Sequence, residues 1–188
     1  MRATMFRSIS PFCFVIIAVS CLSIAADEKP AATQPAAGEV TDGCQISVSI
    51  SPAECAVGEP IILTINFTNL GPPVKLRGIG PVADYDIIVL RASGARAPYT
   101  VYGESGRDPK QALGIYGTVL DCGASDMVRV HLNRCFDMSF STEYRIHVER
   151  KMPSRPDPEK MVTIVSNTVT AKLAEPNLAD PEDTKKAE

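Results

Sequence analysis

Between residues 44 and 173, large apolar side chains recur at every second position, and a period of two dictates extended chain. Ile46, Val48 and Ile50 alternate with Ser47, Ser49 and Ser51, and Ile61, Leu63, Ile65 and Phe67 alternate with Ile62, Thr64, Asn66 and Thr68. Val128, Val130 and Leu132 alternate with Arg129, His131 and Asn133, and Tyr144, Ile146 and Val148 with Arg145, His147 and Glu149. Successive side chains of a strand point to opposite faces, so each segment offers one face to a core and one to water. Residues 85–90, 99–102, 113–120 and 161–173 are further strand candidates. Gly and Pro punctuate them at Gly58-Glu59-Pro60, Gly71-Pro72-Pro73, Ser93-Gly94 and Cys122-Gly123, and no segment sustains a helical period. The pattern predicts an all-β chain, a two-sheet antiparallel sandwich of about seven strands.

The ends of the chain read differently. Arg2 and Arg7 precede an apolar run at residues 12–22, and Ser23-Ile24-Ala25 supplies a small-x-small cleavage pattern. Residues 1–26 are therefore read as a signal peptide. The run is short for a spanning helix, which needs roughly 20 apolar residues. The expected location is extracytoplasmic: periplasmic, secreted or associated with the cell envelope. Ala18-Val19-Ser20-Cys21 is similar to a lipobox, so a lipid anchor at Cys21 is the alternative to plain cleavage. Ala at its first position and the apolar Leu22-Ser23-Ile24 after the cysteine depart from that pattern. Residues 27–43 are rich in Ala, Pro and charge and read as a flexible linker, and residues 174–188 as a disordered acidic tail. The folded domain is expected at 44–173.

Charge narrows the partners. Without Arg2 and Arg7, 17 basic residues face 22 acidic ones, a net charge of −5 against −3 for the whole chain. Nucleic acid, which needs a basic face, is disfavoured, and no second apolar run has membrane length, so no transmembrane segment is expected after the signal. The remaining expectation is another protein or an envelope component, with the oligomeric state open.

No catalytic constellation emerges. His131 and His147, the only histidines, fall on the outward-facing sets of their strands and read as solvated. Ser139, Ser141 and Ser166 have no G-x-S-x-G elbow, and the carboxylates near Tyr85 and Cys122 lack calcium-loop spacing. No cofactor or metal is expected. The longest polar excursion, residues 103–111, is flanked by aromatic rings, and Tyr99, Tyr102, Arg107, Asp108 and Tyr116 are the candidate partner-binding residues, against the plainer reading of a connector. The second excursion, 151–160, contains three prolines and reads as an extended hairpin loop. Two structural roles are expected: Tyr144 bonding its hydroxyl to nearby backbone after a corner, and Asn167 satisfying backbone at a strand irregularity.

Three stretches carry a resemblance. Ala56-Val57-Gly58-Glu59-Pro60-Ile61 followed by Ile65-Asn66-Phe67-Thr68-Asn69 resembles the "xVGEPIxLxxxxxN" opening of bacterial extracytoplasmic immunoglobulin-like domains. Arg134-Cys135-Phe136-Asp137-Met138-Ser139 leading into Glu143-Tyr144-Arg145-Ile146 resembles their "YDMSxPGxYxI" element, with Phe136 in place of Tyr and no Pro-Gly at 140–142. Val165-Ser166-Asn167-Thr168-Val169-Thr170 resembles their "SNxIxVxV" final strand. The strand end at Thr68-Asn69 is also similar to that of BsuPI-type proteinase inhibitor sandwiches. The resemblance implies an immunoglobulin-like sandwich and transfers no catalytic residue.

The four cysteines outside the signal, Cys44, Cys55, Cys122 and Cys135, allow three pairings that spacing does not separate. On the strand order that the resemblance implies, the first and fifth strands flank the second, and Cys44–Cys122 and Cys55–Cys135 are the expected disulfides. The function that follows is an exported, non-catalytic binding or structural module of the cell envelope. The alternative is a proteinase inhibitor of the BsuPI-like type acting through an exposed loop.

Overall fold

The structure, a computed structural model, describes residues 36–108, 110, 116–140 and 142–175; the expected signal and the end of the acidic tail lie outside them. Its strands are β1 (Cys44–Ser51), β2 (Glu54–Ala56), β3 (Ile62–Asn69), β4 (Val74–Gly78), β5 (Asp86–Arg91), β6 (Tyr116–Leu120), β7 (Ser125–His131), β8 (Glu143–Pro153), β9 (Met161–Val165) and β10 (Val169–Ala174). One sheet runs β1-β3-β7 and a second β2-β10-β8-β5, with β9 pairing the far end of β8, while β4 and β6 form a two-stranded ribbon. Every pairing is antiparallel except β2 with β10. The all-β, sandwich-like architecture agrees with the alternation, with more strands than the sequence reading counted.

The predicted inner faces meet in one core. Ile46, Val48, Leu63, Ile65, Phe67 and Val130 of the first sheet and Ile87, Val89, Tyr144, Ile146 and Val148 of the second are buried in a single cluster. Each such side chain contributes about 1.5–3 kcal/mol when fully removed from water. Tyr144 is wholly buried, and its hydroxyl donates to Phe140 O at 3.3 Å, the corner role expected of it. The long stretch 161–173 divides at Ser166 to Thr168. There Asn167 Oδ1 accepts from Val48 N–H at 2.8 Å and its Nδ2 donates to Val48 O at 3.0 Å, tying the β9–β10 corner to the outer edge of β1.

Two boundaries differ from the reading of the sequence. Residues 99–102 are not a strand: Tyr99 makes one bridge to Phe136, and α2 (Val101–Arg107) begins two residues later. Thr100 caps that helix, its Oγ1 accepting from Gly103 N–H at 3.1 Å, so local capping outweighs the β preference of Tyr, Thr and Val. Residues 38–43 are not free of the domain. Gly38 N–H donates to Ile46 O at 3.0 Å, and a Cβ on Gly38 would run into the Val165 carbonyl oxygen, so the lead-in threads a gap that only glycine fits. The strand expected at 113–120 is described from Tyr116 onward.

The expected disulfides are corrected. All four cysteines are free thiols, with Cys44 and Cys135 buried, Cys55 half-buried and Cys122 exposed. β1 and β7 do flank β3, and Cys44 and Cys122 lie at the same end of that sheet. But Cys44 faces Asn69 of β3, and the turn holding Cys122 lies on the other side of Asn69, which bonds to Gly123 and Ala124. Two strand spacings, about 9.5 Å, exceed the roughly 5.5–6 Å between Cα atoms that a disulfide takes. Cys55 sits in β2 beside Leu173 of the second sheet, whereas Cys135 closes α3 (Leu132–Cys135) at the end of β7 in the first.

Candidate functional site

A groove of about 540 Å3 opens between α1 (Pro81–Asp84), α2, the end of β7 and α3. Each wall has a local cause. Pro81 starts α1 at a position where its missing N–H costs nothing, and Asp84 accepts from Ile79 and Gly80 N–H to close that turn. α2 is pinned to α3 through the carbonyls of Arg134 and Cys135: Thr100 Oγ1 donates to the first, and Thr100 N–H to the second at 2.9 Å. Gly103 makes that approach possible, since a Cβ there would collide with Cys135 O. Ile79, Pro81 and Val82 make the groove apolar on one side, and Arg129, His131 and Tyr102 bring polar groups to the other.

The aromatic residues expected to bind a partner divide. Tyr99 packs inward, its ring 4.5 Å from that of Phe136, with the Arg107 guanidinium 4.6 Å above it, and burial pushes its hydroxyl pKa up. Tyr102 faces outward at the groove, 57% exposed, with Arg134 stacked 4.8 Å from its ring. Arg107 is exposed at the end of α2. Asp108 caps that end and accepts from Lys110 N–H at 2.9 Å, a structural task. Tyr116 lies opposite Gly78 in β6, and its side chain is outside the described part. The expected loop at 103–111 is helical as far as Arg107.

His131 and Arg129 were legible only as outward-facing residues of one strand. The structure places both beside Cys135 in the groove wall, while His147 stands on the other sheet, 3.9 Å from Glu149. Burial pushes the Cys135 thiol up, more than Arg134 lowers it. A buried neutral thiol is a poor nucleophile, and the groove offers apolar walls, an aromatic face and the Arg129 guanidinium. Among the described residues no three His, Cys, Asp or Glu side chains converge as metal ligands, and no helix is long and apolar enough to cross a membrane.

No protein-family model matches this chain, and no curated protein matches it in sequence.

Proposed function

We propose that this chain is an exported, non-catalytic binding module of the cell envelope, and that its partner docks in the groove between α1, α2 and β7. Export rests on the charged and apolar pattern of residues 1–26. The binding reading rests on one observation: Val101 and Tyr102, 89% and 57% exposed, project from a short helix fixed to the rim of a concave, mostly apolar groove. Exposed apolar side chains gathered beside a concavity are the mark of a surface that something covers. The partner is a protein or envelope component that offers an apolar or aromatic group to Ile79, Pro81 and Val82 and an acidic group to Arg129 and His131. An inhibitor that offers an extended loop to a protease is served less well, because residues 101–107 are helical.

The test is a photo-crosslinking amino acid placed at Val101 in the full chain, exported in its own cell. A discrete adduct is expected from Val101 and none from the same group at Lys160, on the exposed turn between β8 and β9. Identical patterns from the two positions would refute the reading.

A further inference from the structure

A second concavity, of about 420 Å3, separates β4 from the end of β8, and its walls are two edges that pair with no other strand among the described residues. Glu149 of β8 pairs with Asp86 on one side and Val165 on the other, so β5 and β9 lie on opposite edges of β8. Beyond Glu149, β9 continues alongside to Pro153 but β5 has ended, which leaves one edge of residues 150–153 open. Among the described residues β4 pairs only with β6, so its other edge is open there too. The two open edges meet across the cleft, which Lys75 and Arg77 line from β4 and Arg150, Lys151 and Met152 from β8.

Charge singles the cleft out in a chain with an acidic balance. Lys75, Arg77 and Lys151 are exposed, and Arg150 is only 5% exposed. The Arg150 guanidinium lies 4.8 Å from the Tyr85 ring and 5.5 Å from that of Phe67, and its Nη2 donates to Arg77 O across the cleft at 3.1 Å. Its Nη1 is buried with no hydrogen-bond partner among the described residues, and no carboxylate there forms an ion pair with it. Arg150 acts on the adjoining Tyr85 hydroxyl more strongly than Asp126 and Asp84 do. Aromatic faces offset part of the cost of burying a guanidinium, and a compensating anion would offset the rest.

We propose that this cleft takes an extended acidic segment of a partner protein, which adds as a strand along the open edges and sets its carboxylates against Lys75, Arg77 and Lys151 above the buried Arg150. Open edges supply main-chain donors and acceptors for strand addition, and the four cations supply the sign of the ligand. The proposal does not rest on the α1–α2–β7 groove, which lies on other elements.

The test is fluorescence anisotropy with a labelled six-residue peptide of alternating Val and Glu, titrated with the chain lacking residues 1–26. Saturable binding is expected, weakened at least ~10-fold by Lys75→Glu with Lys151→Glu, two exposed positions where folding is not at stake. Arg150→Met, checked for folding by its thermal transition, is expected to weaken it as well. The same peptide N-methylated at every residue is expected to lose binding, because neither of its edges can then donate. An alternating Val-Lys peptide that binds equally well, an N-methylated peptide that binds undiminished, or inorganic sulfate that displaces the probe at equal concentration would each overturn the proposal. So would no binding at all, which would leave the cations as guards that keep open edges from pairing. Binding that emerges only after removal of residues 176–188 would assign the cleft to the chain's own acidic tail and overturn the partner reading.

Discussion

The carboxamide of Asn167 pairs with the main chain of Val48 as a neighbouring strand would, accepting from its N–H at 2.8 Å and donating to its carbonyl at 3.0 Å. The arrangement needs a donor and an acceptor side by side. Asn167→Ala removes both and is expected to cost about 2 kcal/mol. Asn167→Asp keeps the acceptor but sets a second lone pair against Val48 O, so it should cost at least as much at neutral pH. Urea denaturation of the two variants tests this, and an Asp variant as stable as wild type would show the second bond to be worthless.

A different carboxamide holds one end of the same sheet, where Asn69 faces Cys44. Asn69 is wholly buried. Its Nδ2 donates to Pro72 O at 2.9 Å and Leu120 O at 2.8 Å, while Oδ1 accepts from Gly71 N–H at 3.1 Å and Arg155 Nη2 at 2.6 Å. Arg155 also donates to Pro72 O and to Cys44 Sγ, each at 3.0 Å. Arg155→Lys cannot reach three acceptors set in a fork, so it should recover less than half of the roughly 2 kcal/mol lost in Arg155→Ala. Asn69→Ala, which takes the side-chain donor from Leu120 O and the acceptor from Gly71 N–H, should cost about 3 kcal/mol. Equal stability of the Lys variant and wild type would remove the fork from the account.

How much of this was visible in the residues follows the range of each signal. Period-two alternation is local, and it placed Ile61, Leu63, Ile65 and Phe67 inside and His131 outside correctly. The roles of Tyr144 and Asn167 were legible because each sits at a recognisable corner. The groove was not, because it joins 79–82, 101–107 and 129–135, and no local pattern reports which segments meet. The helix at 101–107 was hidden by its composition, since Val101 and Tyr102 favour strands and two glycines weaken a helix; Thr100 was the signal that could have disclosed it. The open edges at β4 and β8 depend on where β5 stops relative to β9, a matter of register alone.

Acid should expose one carboxylate in particular. The Ser139 hydroxyl and N–H, together with Arg91 3.8 Å away, hold Asp137 below the ordinary carboxylate range. A pKa lower in the folded than in the unfolded chain adds stability above the unfolded value, about 3.9, and that contribution fades as pH falls through the folded value. Carboxyl NMR titration should therefore give Asp137 a midpoint below that of free aspartate, rising in Ser139→Ala. In Asp137→Asn the stability at pH 7 should fall slightly and its decline below about pH 4 should become shallower. An unshifted midpoint would mean that Ser139 does not hold the carboxylate.

Thiol chemistry separates the four cysteines by depth. Cys122 lies exposed in the turn before β7, Cys55 is half-buried with its pKa raised by burial and by Glu59, and Cys44 and Cys135 are buried. Only the thiolate alkylates at useful speed, so at Cys55 and Cys135 burial and the raised pKa both slow the reaction. In the chain lacking residues 1–26, treated with iodoacetamide at pH 8 without reductant, Cys122 should label first and Cys55 more slowly. Cys44 and Cys135 should label only after denaturant is added, and mass spectrometry should then count four adducts. A denatured chain that takes no label until it is reduced would contain two disulfides, which would require β1 and the turn at Cys122 to approach across β3.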